Sequence, residues 1–246
     1  MPDLLIESTV LEDRLTAALP TDVDYASARL VDERSEHLSV RRNQLEPMHT
    51  EFDTGVMITI WDDGGLGYSA TTDLSDRGLS AAVDRARYWA TVTAGAMVTT
   101  APPTSHAVGT YVSPVEVTWD TLPLNDRLEL LQQQSRLLGI DDRIVNWGAS
   151  LVRRDVDQLL LTTSRDGDSG RIEQRFRFVY PSLSVTANEG TNTQTRTFGG
   201  HAFCGQGGAE VLGRYGFGDA ASRVAEQALE LLTAPNCPTG VMDAIL

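Results

Sequence analysis

Between residues 55 and 90 the hydrophobic period of the chain changes, and that change restricts the folds open to it. Residues 55–61, GVMITIW, are β-branched and apolar, as in a buried strand. Asp62, Asp63, Gly64 and Gly65 follow. Acidic turn residues ahead of glycines that tolerate positive φ are the composition of a tight hairpin. Residues 66–71 return as a second strand. Asp73 or Ser75 can then cap a helix, because a short side-chain oxygen satisfies backbone N–H groups that lack intrahelical partners. Leu79, Ala82, Val83 and Ala86, continued by Ala90, recur at helical spacing and make one apolar face. Strand, glycine hairpin, strand and capped helix form an α+β unit, with no chemical site evident in it.

Composition narrows the function classes. The chain has 246 residues, enough to bury a proper core, and a formal net charge of −14. So acidic a chain argues against nucleic acid or an anionic membrane as partner, since both need clustered cations. Every cation is arginine, which excludes a Walker A loop, a Schiff-base lysine and a lysine general base. Cys204 and Cys237 are too few for a disulfide framework and fit a reducing compartment. Residues 1–9 lack the basic start and apolar core of a signal peptide, and no run approaches a membrane span. These features predict a soluble, cytoplasmic α+β protein.

Along the chain, residues 4–19 read as a helix stopped by Pro20. Residues 25–32 and 37–44 read as two strands, with the polar run 32–36 as the turn between them. Residues 46–53 connect to the strand at Gly55, and the helix after Asp73 runs to Ala96. Residues 98–117, rich in Thr and Pro, read as an extended loop or linker. A second helix opens at Asp120 or Asn125, carries Leu128, Leu131 and Leu138, and ends at Gly139. Residues 144–152 and 158–164 read as strands joined by a turn at 153–157. The stretch 165–170, RDGDSG, is another turn. Residues 171–188 alternate, and 194–205 pair with them. A third helix, 219–233, opens at Asp219 or Ser222 and turns Val224, Ala228, Leu231 and Leu232 inward. The expected fold class is α+β: two α-β(n)-α lobes, residues 1–100 and 118–234, with mainly antiparallel sheets. The repeated element order suggests a weak architectural duplication.

Each cluster of reactive side chains has a plain structural explanation beside the chemical one. Asp62 and Asp63 could serve as acid and base, but adjacent hairpin residues point apart and the turn itself calls for Asp before Gly. Residues 213–221, GRYGFGDAA, mimic a dinucleotide fingerprint, yet Asp219 would sit where a pyrophosphate must bind and the βαβ context is missing. His201 and Cys204 are half of a zinc set, with no second pair at suitable spacing. His37, His49 and His106 have no evident partners. Ser105–His106 with Ser164–Asp166 lacks a nucleophile elbow. Arg171, Arg175 and Arg177 share one strand face by period-two spacing, which in so acidic a chain predicts a salt-bridged sheet face. No catalytic, cofactor-binding or metal-ligating residue is assigned.

The string G-V-x-I-x-I-W-D-D-G-G-L-G-Y-S-A-T-T-D-L-S, followed by an Ala-rich helix, resembles the N-terminal half of the TldD/PmbA proteins. These were first called modulators of DNA gyrase and are understood as zinc metallopeptidases and their partners. Residues 234–246, APNCPTGVMDAIL, resemble the segment leading into that family's catalytic half, where an HExxxH helix supplies zinc ligands. The resemblance implies that residues 1–234 form an N-terminal domain and that 235–246 begin a missing catalytic domain holding the zinc. It implies a homo- or heterodimer with a TldD/PmbA-type subunit, enclosing a chamber that admits unfolded peptides. This chain would supply wall and subunit contacts and be inactive alone. The alternative is a non-catalytic module that pairs with a catalytic partner. The apolar run 241–246 would be orphaned by the truncation and drive self-association.

Overall fold

The computed structural model describes residues 9–98, 106–235 and 239–240. It is a mixed α/β fold with a large, mainly antiparallel sheet and several helices. The chain runs through α1 (Thr9–Ala18), β1 (Tyr25–Arg41), β2 (Gln44–Leu45), β3 (His49–Asp62), β4 (Gly65–Thr71) and α2 (Asp76–Thr93). It continues with β5 (Val108–Val112), α3 (Leu124–Leu138), β6 (Ile144–Thr163), β7 (Ser169–Glu189) and β8 (Asn192–Gly199). β9 (Gly205–Gln206), α4 (Glu210–Arg214) and α5 (Ala221–Thr233) complete it. The nine strands follow the order β4-β3-β1-β6-β7-β5, with β2 on β1 and both β8 and β9 on β7.

Two compact units divide the chain, and each draws residues from β1, β6 and β7. The first comprises Met1–Glu36, His49–Val115 and Arg153–Phe178. Its core joins Leu11 and Leu15 of α1, Ala26, Ala28 and Leu30 of β1, Ile58 and Ile60 of β3, and Leu159 and Leu161 of β6. Leu79, Ala82, Val83, Ala86 and Ala90 of α2 close it, the face that helical spacing predicts. The second comprises His37–Met48, Glu116–Val152 and Val179–Leu246. Its core sets Leu131 and Leu138 of α3 and Val224, Ala225 and Ala228 of α5 against Leu151, Leu183 and Val185. In that unit the guanidinium of buried Arg127 lies 5.2 Å from the Trp119 ring centroid.

Four stretches and two helix starts depart from the sequence expectation. β1 runs unbroken through residues 32–36 and β6 through 153–157, where polar runs suggested turns. These residues stay in the strands because their charges are satisfied within the sheet, as described below. The stretch 98–117 contains β5, whose pairing to β7 is parallel, with Val108 opposite Arg171 and Val112 opposite Arg175. β3 begins at His49, so residues 49–53 of the expected connection are also strand. α3 opens at Pro123, and α5 at Ala220, rather than at the Asp, Asn or Ser that capping chemistry favours. Residues 4–8, Pro102, Pro103, Ser105, Cys237 and the run 241–246 lie outside the described residues.

The hairpin at the head of β4 shows which glycine does what. β3 and β4 pair antiparallel from Val56–Thr71 to Asp62–Gly65, leaving Asp63 and Gly64 as a two-residue turn. Both have positive φ, 49° and 74°, as a type I′ turn requires. Gly65 has no such φ and is needed for space instead. A Cβ on it would lie 1.9 Å from the Ala90 carbonyl oxygen, and one on Gly67 1.9 Å from that of Ala86. Thr93 fixes the far end: its Oγ donates to Leu66 O at 2.7 Å and accepts from Leu66 N at 2.9 Å. At the other end Ser75 caps α2, its Oγ accepting from Gly78 N at 3.2 Å. Gly67→Val should therefore force α2 off the sheet and cost roughly 2–3 kcal/mol, the scale of overpacking. Asp63→Asn, which also tolerates a left-handed turn, should change stability by well under about 1 kcal/mol. Urea denaturation of the two variants measures the difference.

Candidate functional site

The densest polar constellation is a row of charges on strands of the first unit. Period-two spacing puts Asp32 and Arg34 of β1, Arg153, Asp155 and Asp157 of β6, and Arg171, Glu173, Arg175 and Arg177 of β7 on sheet faces. The pairing is dense. Arg177 donates to both oxygens of Asp157, at 2.5 and 3.3 Å, joining β7 to β6. Arg153 forks onto Asp155 at 3.0 and 2.6 Å. Glu173 sits between Arg171 and Arg175, at 3.1 and 2.7 Å. Arg171 also reaches Glu12 of α1 with two bonds, 2.7 and 3.0 Å. Asp32 accepts from Thr54 Oγ1 at 2.8 Å and pairs with Arg34 at 3.3 Å.

The three strand arginines thus form the salt-bridged face that their spacing predicts. Each guanidinium is already neutralised, so the row has no cation to spare for a phosphate or a substrate carboxylate. Hydrogen bonds from Arg175, against a desolvation cost and with help from Arg171, hold the Glu173 carboxyl below its usual range. A carboxyl held ionised is a poor proton donor near neutrality. The hydrogen bonds to Glu12 likewise raise the Arg171 guanidinium. The row's side chains pair with one another and tie the strands together.

The other sequence candidates disperse. Asp62 accepts from Arg165 at 2.7 Å, while Asp63 contributes its backbone N–H to Asp24 at 3.1 Å, so the adjacent carboxylates do not act as a pair. His106 Nδ1 lies 2.9 Å from Thr162 Oγ1, with its ring 5.7 Å from that of Tyr25. Ser164 begins the expected turn, its backbone N–H donating to Asp168 O at 3.0 Å. His201 stands in a short 3-10 turn, its ring edge-on to Tyr180, and Cys204 after it is a free, half-buried thiol. The GRYGFGDAA stretch spans the end of α4, a 3-10 turn that buries Phe217 completely and the start of α5, so a helix leads directly into it where a dinucleotide site needs a strand. Among the described residues no group of three or more His, Cys, Asp or Glu is placed to hold a metal ion. No helix of the described residues is long and apolar enough to cross a membrane.

One carboxylate carries a role that sequence reading missed. In the second unit Glu210 accepts backbone bonds from Gly208 at 2.8 Å, Glu116 at 3.3 Å and Val117 at 3.0 Å. Burial works to raise its pKa, but those N–H groups outweigh it and hold the carboxyl low. No side-chain motif announces such a clamp, because its donors are backbone groups, two of them from a distant segment.

Residues 26–90, from β1 to α2, match the family model described as PmbA/TldA metallopeptidase domain 1. The N-terminal region thus matches a PmbA/TldD-type domain model. The fold agrees with solved structures of that group. One, from Thermotoga maritima, is classed as a modulator of a DNA gyrase. It is 15% identical with a TM-score of 0.62, over 94% of this chain and 50% of its own. A second so classed, from Bacteroides thetaiotaomicron, is 14% identical with a TM-score of 0.56, over 91% of this chain and 48% of its own. TldE from Thermococcus kodakarensis is 12% identical with a TM-score of 0.51, over 91% of this chain and 46% of its own. At such identities the likeness is one of fold. The chain spans about half the length of the PmbA/TldD-type structures it matches. No curated protein matches it in sequence.

Two measurements test the polar assignments. Asp157 is only 1% exposed, so Arg177→Ala strands a buried charge and should cost about 3–5 kcal/mol. Arg177→Met with Asp157→Leu removes both charges and should restore most of that loss in chemical denaturation. The second concerns acid. Glu173 and Glu210 both have folded pKa values below the ordinary 4.5. Their stabilisation is therefore complete above that ordinary value and is lost as pH falls through the lowered ones. Thermal stability should hold down to about pH 5 and then decline. The double variant Glu173→Gln, Glu210→Gln should start lower and show a shallower acid decline.

Proposed function

We propose that this chain is the N-terminal region of a TldD/PmbA-type zinc metallopeptidase that acts on unfolded peptides. Its role is structural, supplying chamber wall and subunit contacts rather than catalytic groups. The observation that carries this reading is the match of residues 26–90 to the first domain of that family, set in a fold that follows its solved members over nearly the whole chain. Residues 1–234 are then the N-terminal domain, and 235–246 lead toward a catalytic half that binds zinc through an HExxxH helix. The helix–strands–helix order, met twice along the chain, is read as an architectural duplication. The chain works as a homo- or heterodimer with a TldD/PmbA-type subunit, in the cytoplasm, with neither nucleic acid nor membrane as partner. The charge row supports this role, because its side chains serve one another and leave nothing for a reaction.

The test is to assay the purified 246-residue chain for zinc and for hydrolysis of an unfolded protein, alone and with a catalytic half supplied in trans. Alone, it should retain less than roughly a tenth of an equivalent of zinc after dialysis, since its scattered histidines and cysteines close no ligand set. It should leave the unfolded substrate intact and form a complex with the added half. Chelator-sensitive hydrolysis by the chain alone would overturn the reading.

A further inference from the structure

Among the described residues β5 ends the strand order and pairs on one side only, with β7. Which of its backbone groups face outward follows from the bonds at its ends. Arg171 N donates to Ala107 O at 3.0 Å, and Ser113 N donates to Arg175 O at 2.8 Å. Backbone direction alternates along a strand. Ala107, Gly109, Tyr111 and Ser113 therefore face β7, and Val108, Thr110 and Val112 turn their N–H and C=O groups away from the sheet. All of β5 is exposed, Val108 at 80% and Val112 at 56%. Edges are usually blunted with lysine, proline, charge or a covering element. The strand VGTYV has no charged residue and no proline. The opposite edge is treated differently, for Thr93 of α2 occupies both backbone groups of Leu66.

The exposed pattern is complementary to itself. Antiparallel pairing about a two-fold axis at Thr110 sets Val108 against Val112 of the second copy, Thr110 against its counterpart, and Gly109 against Tyr111. Every outward N–H and C=O then finds a partner. β-branched and Thr–Thr cross-strand pairs are favourable, and an aromatic ring laid over an edge glycine is a known stabilising device. Nothing lies within 4 Å of the place a Cβ on Gly109 would take, so that face of the glycine is open, while the Tyr111 ring rests 5.4 Å from that of Phe176 in its own chain. Charge does not oppose the seam. Arg171, Glu173 and Arg175 stand level with Val108, Thr110 and Val112 and are paired among themselves.

We propose that β5 is a self-pairing edge through which two copies of this chain join into a C2 dimer with a β-ladder across the axis. This names the contact for the pairing given under Proposed function and rests on that reading for the claim that the chain works as a dimer. Such a contact is isologous, so it closes on itself and does not propagate into fibres.

Sedimentation velocity on the full chain over a concentration series tests it, with circular dichroism to confirm that each variant folds. The wild type should dimerise. Thr110→Asp, which sets like charges face to face across the axis, should weaken the dimer at least roughly tenfold. A second arm uses a chain with Cys204→Ser and Cys237→Ser. There Thr110→Cys should oxidise to a covalent dimer, since directly opposed strand residues lie within disulfide reach. Val10→Cys, exposed on α1, should not. Dimerisation indifferent to Thr110→Asp, with no cross-link at 110, overturns the β5 edge and leaves the dimer reading intact. A chain monomeric at every concentration overturns self-pairing altogether.

Discussion

Charges buried along the middle of long strands must be matched, or the strands cannot stay extended, and the rest of this structure depends on that match. Asp157 has almost no access to water, and its cost is offset only because Arg177 forks onto it from the neighbouring strand. Arg153, Asp155, Glu173, Arg171 and Arg175 extend the same logic along β6 and β7. Such pairs add little net stability against an apolar substitute, yet breaking one partner is expensive. Their effect is on register. A one-residue slip would turn every charge of a strand to the other face and leave it unmatched.

A second constraint is steric. Gly65 and Gly67 remove side chains where α2 approaches, so the carbonyls of Ala90 and Ala86 reach the β4 backbone. Small residues on both surfaces bring helix and strand closer than ordinary side chains allow, and Thr93 then bonds both backbone groups of Leu66. Tight packing and a filled edge come from the same few residues. Gly65, Gly67, Ala86 and Ala90 lie inside the region matched by the PmbA/TldA domain model.

In the proposed role these features divide the labour. A scaffold that forms part of a peptidase chamber needs strands that keep their register and side chains that do not compete for substrate. Mutually saturated arginines and carboxylates meet both needs. Function in this region then resides in surfaces and edges, and β5 is an edge strand with neither charge nor proline.

Local chemistry in the sequence determined a good deal by itself. Asp63–Gly64 specified a turn, because few other residues accept positive φ at both positions. Leu79 to Ala90 specified the buried face of α2 through helical spacing, and the Arg171–Arg175–Arg177 alternation specified a paired sheet face in an acidic chain. The tertiary structure decided what local composition could not. Residues 32–36 and 153–157 look like turns because polar runs usually seek water, yet here their partners sit on other strands or two residues along. β5 was hidden among Thr and Pro because a parallel edge strand takes its partner from far along the chain. Gly65 looked like turn chemistry until α2 was seen resting on it. Apart from the pairs two residues along a strand, the deciding interactions join residues distant in sequence, and periodicity carries no information about those.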